Sequence, residues 1–315
     1  MTTEVAQDAV RTGAPPPAAR REGGMSEKWR RRLPLLPALI FVIVLTQLPF
    51  LGTLIVSFTD WNSYYPDDRG FAGLSNYARI FTDVNARSAV VVTIVLTVSV
   101  VLICLVLGLV IALLLDRRFP GRGVVRTMMI TPFLLVPIAA ALLWKHALYN
   151  PEYGLLNGLL TVFLGNDAPQ PDWVGSMPLP ALIAAISWQW TPFMMLILLA
   201  GLQSRPMDVV EAARLDGASN WQVFRHMTLP HLRPYIELSV LLGTIYVVQN
   251  FDHVFTITAG ATGSANLPYF VYQTFYTAQD YGRASAAGVV TVAGTLIVAM
   301  LALRTVFTVF QEESR

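Results

Sequence analysis

Long apolar stretches alternate with short polar ones along most of this chain. Six stretches are long enough to cross a bilayer, at about residues 33–58, 88–115, 124–144, 181–203, 235–258 and 285–310. A hydrocarbon core of ~30 Å needs roughly 20 apolar residues at about 1.5 Å of helical rise each. The pattern predicts an all-α integral membrane protein with six transmembrane helices. Pro132 and Pro137 interrupt the third stretch, which a membrane helix tolerates when neighbours satisfy the freed carbonyls. Residues 1–32 show no such periodicity. They are rich in Ala, Pro, Arg and Gly and predict a largely disordered basic tail ahead of a membrane domain at 33–315.

Charge decides the orientation. The tail and the loops at 116–126 and 204–234 carry fifteen Lys and Arg residues, and the alternate loops carry five. The positive-inside rule therefore places the rich set, and both termini, in the cytoplasm. The outer segment 59–87 holds Trp61, Tyr64, Tyr65 and Phe71, which suit an interfacial aromatic belt or a partner surface. Segment 145–180 reads as a turn, a short interfacial helix and a loop. Segment 259–284, with Gly260, Gly263 and Pro268, reads as a re-entrant or surface-lying piece.

Composition narrows the function. The chain is 54% hydrophobic and 13% charged, with mean hydropathy +0.53, against roughly 25% charged in a soluble domain. The net charge of +2 points to no nucleic-acid partner. Cys104 is the single cysteine, so no intrachain disulfide forms. The first apolar stretch is too long for a signal-peptide core and no small-x-small cleavage site follows it, so it predicts an uncleaved anchor. Lys28 and Lys145 are the only lysines, and neither lies in a Gly-rich phosphate loop. The chain therefore should not hydrolyse ATP itself. The histidines His146, His226, His231 and His253 lack metal-site spacing. No catalytic residue, metal or cofactor is expected in this chain.

The polar segment 204–234 is patterned as two short helices. Pro206 suits a first helical turn, and Asp208 and Glu211 sit early, where the helix dipole favours them. Gly217 is placed to end that helix with positive φ. Ser219 and Gln222 form a capping box, so a second helix starts near Asn220 and ends before Pro230. Val223, Phe224 and Met227 would make its apolar face, with Trp221 nearby. The plainest role is an amphipathic linker resting on headgroups.

A more specific role comes from resemblance. Glu211-Ala212-Ala213, three residues, Gly217, nine residues and Met227-Thr228-Leu229-Pro230 resemble the EAA loop of ABC importer permeases. Met227 stands where the family usually has Ile. The resemblance implies a type I ABC importer permease fold with a cytoplasmic coupling hairpin docked on a separate ATP-binding subunit. Its coupling residues would be Glu211, Ala212, Ala213, Asp216, Gly217, Ser219, Trp221, Phe224, Leu229 and Pro230. The helix after Gly217 would enter a cleft of the ATPase, an ordinary recognition mode, with Glu211 facing a basic group there.

Other segments resemble the sugar-permease branch that includes maltose permease subunits. They are Phe71-Ala72-Gly73-Leu74-Ser75-Asn76-Tyr77, Tyr153-Gly154-Leu155-Leu156-Asn157 and Ala200-Gly201-Leu202-Gln203. Residues 259–264 depart from the family pattern. Tyr65–Phe71, Trp144–Pro151 and Tyr272–Tyr276 are similar to sorbitol/mannitol permease subunits. The branch implies a bacterial cytoplasmic-membrane importer of a sugar or polyol. Its partners would be membrane lipid, a second six-helix permease subunit (a heterodimer), ATP-binding subunits that bind the ATP, and an extracytoplasmic solute-binding protein.

Polar groups inside membrane helices are costly unless they face the bundle interior. Tyr246, Gln249, Asn250 and His253 recur on one helix face, and Gln189, Trp190 and Phe193 make a second mixed stripe. By resemblance, Gln189, Trp190, Phe193, Tyr246 and Asn250 match positions in or beside the maltose relative's sugar pocket, and Gln249 lies beside them. Val247 replaces a polar residue there. Interhelical hydrogen bonding is the plain alternative for each, and Asp252-His253 could form a proton relay. An ion-driven secondary transporter would need midplane carboxylates and repeated halves. Carboxylates are scarce there, and no repeat is visible.

Overall fold

A computed structural model describes residues 33–312, so the basic tail lies outside the described residues. The chain divides at Leu51 into two units. The first holds most of helix α1 (Leu36–Val56). There the Thr46 hydroxyl donates back to the Val42 carbonyl at 2.8 Å, which spares the surroundings an unpaired hydroxyl.

The second unit holds the remaining elements. Two long helices, α3 (Val84–Asp116) and α8 (Pro178–Gln203), lie along each other at its centre. Leu96, Val100 and Cys104 from α3 meet Ile186, Met194 and Leu198 from α8 in the buried core. Contact is closest at Gly108, where a Cβ would stand 3.0 Å from the backbone nitrogen of Met195. Asp83 caps α3 by accepting from the backbone N–H groups of Asn85 and Ala86. Helices α11 (Leu229–Val248) and α13 (Tyr281–Glu312) pack on each other, and α11 also packs on α3 and α8.

The six predicted spans come out differently. Among the described residues, four helices are long and apolar enough to cross a membrane: Leu36–Val56, Val84–Asp116, Pro178–Gln203 and Tyr281–Leu301. The third predicted span is a bent pair, α4 (Arg122–Leu134) and α5 (Pro137–Leu142, extended by a wide turn to Leu148), meeting at 96°. Pro137 forces Val136 into extended backbone, with ψ 134°, as a proline does to its predecessor. The fifth predicted span, 235–258, is not one helix. Helix α11 starts earlier, carries His231, Arg233 and Glu237 in its first half, and stops at Val248; a separate wide turn follows at Val254–Thr258.

The outer segments also hold more structure than the sequence pattern indicated. Residues 59–87 contain a small antiparallel pair, β1 (Thr59–Asp60) and β2 (Gly70–Phe71), and helix α2 (Ser75–Thr82). Buried Asn76 donates to the carbonyls of Ser57 and Thr59 at 3.0 and 2.9 Å, and the Tyr77 and Ser57 hydroxyls lie 2.7 Å apart. The Asn-Tyr pair of the motif thus closes the chain reversal after α1. Residues 149–177 form the expected turn, helix α6 (Leu155–Leu164) and loop, with an added turn α7 (Trp173–Ser176). There Asn157 donates to the Pro151 and Pro171 carbonyls and accepts from the Trp173 indole. Helix α12 (Leu267–Tyr272) buries Leu267, Tyr269 and Phe270.

Replacing Gly108 by Leu forces the α3 and α8 backbones apart. Overpacking of this kind costs about 1–3 kcal/mol, so G108L is expected to lower Tm in detergent while G108A has a smaller effect. An unchanged Tm for G108L would contradict the close approach.

Candidate functional site: a surface hairpin and an aromatic cluster between broken helices

The hairpin is built as its residues dictate. Helix α9 runs Met207–Leu215, with Asp208 in its first turn and Arg214 in its last. Pro206 stands one residue earlier than expected, at the cap. Gly217 has φ +89°. Its N–H donates to the Arg214 carbonyl, and the Ala218 N–H to Ala213, at 3.1 and 2.9 Å. That pair of bonds is a Schellman termination. Ser219 and Gln222 then form both halves of a capping box and start α10 (Asn220–Val223).

The second helix does not end before Pro230. It passes through a π-type turn at Phe224–Thr228 and runs on into α11. The Leu229 N–H reaches back five residues to the Phe224 carbonyl. That wider register relieves the clash a proline ring makes with the carbonyl four residues before it. The second arm of the hairpin is therefore an extension of α11, not a separate short helix.

Glu211, Ala212, Asp216, Gly217, Ser219, Trp221 and Pro230 are exposed, and Ala213, Phe224 and Leu229 are half-buried. The expected apolar face is split. Val223 is buried and Met227 half-buried, while Trp221 stays 65% exposed and stacks on Phe224 at 5.6 Å. Sequence reasoning missed Leu215, whose side chain is 89% exposed at the tip beside Asp216. Hydropathy at the end of α9 was the available signal.

At the hairpin's root, Arg205 donates to the Leu202 carbonyl and the Thr228 hydroxyl, each at 2.9 Å, and to the Asp116 carboxylate at 2.5 Å. The Ser204 hydroxyl lies 3.1 Å from His231 Nε2 and 2.9 Å from the Tyr235 hydroxyl. Both Asp116 and Arg205 end long apolar runs on the same predicted side, a signal that was legible but not used.

The second cluster lies where two helices break. The α4–α5 bend frees carbonyls, because Pro137 has no N–H to offer. Gln189 answers one by donating to the Leu135 carbonyl at 2.9 Å. Its neighbour Trp190 stacks on Tyr246, centroids 4.9 Å apart, within a turn of the α11 end. Phe133 and Phe193 complete the group, each within 6 Å of Trp190. Phe133 was not predicted; its place beside Pro132 in an interrupted apolar run was the only hint.

The predicted polar face divides at the same break. Tyr246 is 51% exposed and Gln249 is exposed, whereas Asn250 is buried. The Asn250 side-chain nitrogen lies 3.2 Å from His253 Nδ1, and the Asn250 backbone carbonyl accepts from the Asn266 side chain at 2.5 Å. His253 is fully buried and its hydrogen bond is to Asn250, not to Asp252. Gln189 and Asn250 each make a hydrogen bond within the protein, yet Gln189 Oε1 and Asn250 Oδ1 are buried without a partner. Phe133, Trp190, Phe193 and Tyr246 form an aromatic cluster, and Gln249 is exposed just past the end of α11. Among the described residues, no group of His, Cys, Asp and Glu could hold a metal ion.

Residues 105–312 match the family described as binding-protein-dependent transport system inner membrane component. The trehalose/maltose transport system permease protein MalF of Thermococcus litoralis is 36% identical over 263 residues, covering 82% of this chain and 87% of that protein. The trehalose transport system permease protein SugA of Mycobacterium tuberculosis is 31% identical over 280 residues, 89% of each. Among solved structures, a chain of a bacterial alginate ABC transporter, in complex with an alginate pentasaccharide-bound periplasmic protein, matches with TM-score 0.74. That match covers 87% of this chain and 92% of the other at 19% identity, a likeness of fold.

Q189L would leave the Leu135 carbonyl buried and unpaired, at about 1–3 kcal/mol. The variant is expected to lower Tm in detergent by several degrees, as is Q189E, whose carboxylate has no hydrogen to donate. Equal stability of Q189L and wild type would contradict the tie between α8 and the bend.

Proposed function

From the premise that the chain belongs to the binding-protein-dependent transport system inner membrane component family, we propose that it is one transmembrane half of an ATP-driven importer of a neutral sugar. The observation that carries this reading is the hairpin. It exposes a charged and apolar tip, with Glu211 and Leu215 on α9 and Trp221 on the arm that continues into α11. A short helix with apolar anchors and flanking charge suits a groove on a soluble partner. In this reading the partner is an ATP-binding subunit that supplies all the ATP chemistry, and this chain binds no cofactor. The hairpin and both termini face the cytoplasm, and the 59–87 and 259–284 segments face the solute-binding protein.

The aromatic cluster supports the substrate class. Phe133, Trp190, Phe193 and Tyr246 offer ring faces to the C–H side of a pyranose, and Gln249 offers an amide to its hydroxyls. These side chains are themselves uncharged, which favours an uncharged solute. The exposure of Tyr246 and Gln249 leaves the surface open on one side, as half of a site would be. A second, homologous permease subunit is the natural complement. Two relatives named for trehalose favour a glucoside, while the segments Tyr65–Phe71 and Tyr272–Tyr276 keep a sorbitol- or mannitol-like polyol as the second substrate class. Family membership weighs against the ion-driven alternative.

Co-expression with the neighbouring transport genes tests both halves. Wild type is expected to bring down an ATPase, and L215D to lose it. W190A is expected to keep the ATPase yet lower uptake at saturating binding protein about tenfold, the loss of ~1.4 kcal/mol of transition-state interaction. Competition of labelled trehalose uptake by unlabelled sorbitol separates the substrate classes. An L215D variant that still holds its ATPase would overturn the docking reading.

A further inference from the structure

Resting on the reading of the hairpin as the ATPase dock, we infer that Arg205 is a positioning residue that transmits hairpin movement to a helix the hairpin is not joined to. The chain connects the hairpin directly to α8 and α11. Helix α3 lies beside them, and its last residue, Asp116, precedes Arg205 by 89 residues. Arg205 is the junction. Its Nε holds the Leu202 carbonyl in the last turn of α8, Nη1 holds the Thr228 hydroxyl at the root of α11, and Nη2 holds the Asp116 carboxylate. One planar guanidinium thus fixes three helix ends in one geometry. A lysine, a single point charge, lacks that fork.

The junction has the marks of a rigid connection. The side chains of Arg205 and Asp116 are only 13% and 24% exposed, so solvent screens the pair less than an ordinary surface ion pair. Ser204, beside Arg205, lies within hydrogen-bonding distance of His231 and Tyr235. Tyr235 packs against Gly201, where a Cβ would stand 2.6 Å from its ring. Helices α8 and α11 are therefore bolted together independently of Arg205, and Arg205 adds α3 to the pair. At its far end α3 is tied again, through the ion pair between Asp83 and Arg283 of α13. Displacement of the hairpin would reach the outer ends of α3 and α13 through these two ion pairs.

The test uses the complete complex, reconstituted with its ATPase, partner permease and binding protein, and reads ATP hydrolysed per sugar imported. R205A, R205K and D116N are expected to keep their ATPase and raise that ratio about fivefold, the lower end of an allosteric coupling energy. The charge-swapped pair D116R/R205D, which restores the ion pair but not the bonds to Leu202 and Thr228, is expected to return it only partway to wild type. A wild-type ratio in R205A and R205K, with the complex assembled, overturns the junction alone. A swap no better coupled than its single variants does the same. L215D run in parallel distinguishes the two levels: retention of the ATPase by L215D removes the docking reading itself.

Discussion

A peptide group inside a bilayer has no water to turn to, so every break in a membrane helix must be repaired by the protein. Two such breaks stand among the described residues, at Leu135–Val136 and after Val248. The repairs are visible one by one. Gln189 answers the Leu135 carbonyl, Asn266 answers that of Asn250, and Lys145 answers that of Thr256 at 2.7 Å. The Thr93 hydroxyl accepts the Leu267 N–H at 2.9 Å where α12 begins. Polar side chains are placed inside the helical unit by this requirement before any substrate is considered.

Function builds on the same places. Trp190 follows the repairing Gln189 by one residue, and Tyr246 precedes the second break by less than a turn. The aromatic surface therefore stands where backbone direction changes, not along an uninterrupted helix. The two helices that carry it, α8 and α11, are also the two that enter and leave the hairpin. Tyr246 is seventeen residues from Leu229, or roughly 25 Å along the helix axis. In the proposed reading a push at the hairpin root would reach the ring faces through continuous helix, because the π-type turn at Phe224–Thr228 lets that helix pass Pro230 unbroken.

Much of this was legible in the sequence. The apolar runs located α3, α8 and α13, and the hairpin's caps at Gly217 and Ser219 could be placed to the residue because they rest on local backbone rules. What failed depended on tertiary context. The capping rules gave no sign that a wide turn would carry α11 through Pro230, so the second helix was ended too early. Hydropathy alone could not show that 124–144 folds into two helices at 96° or that 235–258 stops at Val248. Helical spacing grouped Tyr246, Gln249, Asn250 and His253 on one face, but the helix ends within that set, which turns Asn250 inward and leaves Tyr246 and Gln249 outside. Arg205 and Asp116 lie far apart in sequence, and only the fold brings them together.

The central claim is that movement at the hairpin, driven by ATP in a partner, opens a sugar path through this chain. Uptake into proteoliposomes, with ATP sealed inside and loaded binding protein outside, tests it most directly. The account predicts uptake that needs both and persists when a protonophore collapses the proton gradient. Uptake that proceeds without ATP and stops with the protonophore would contradict it.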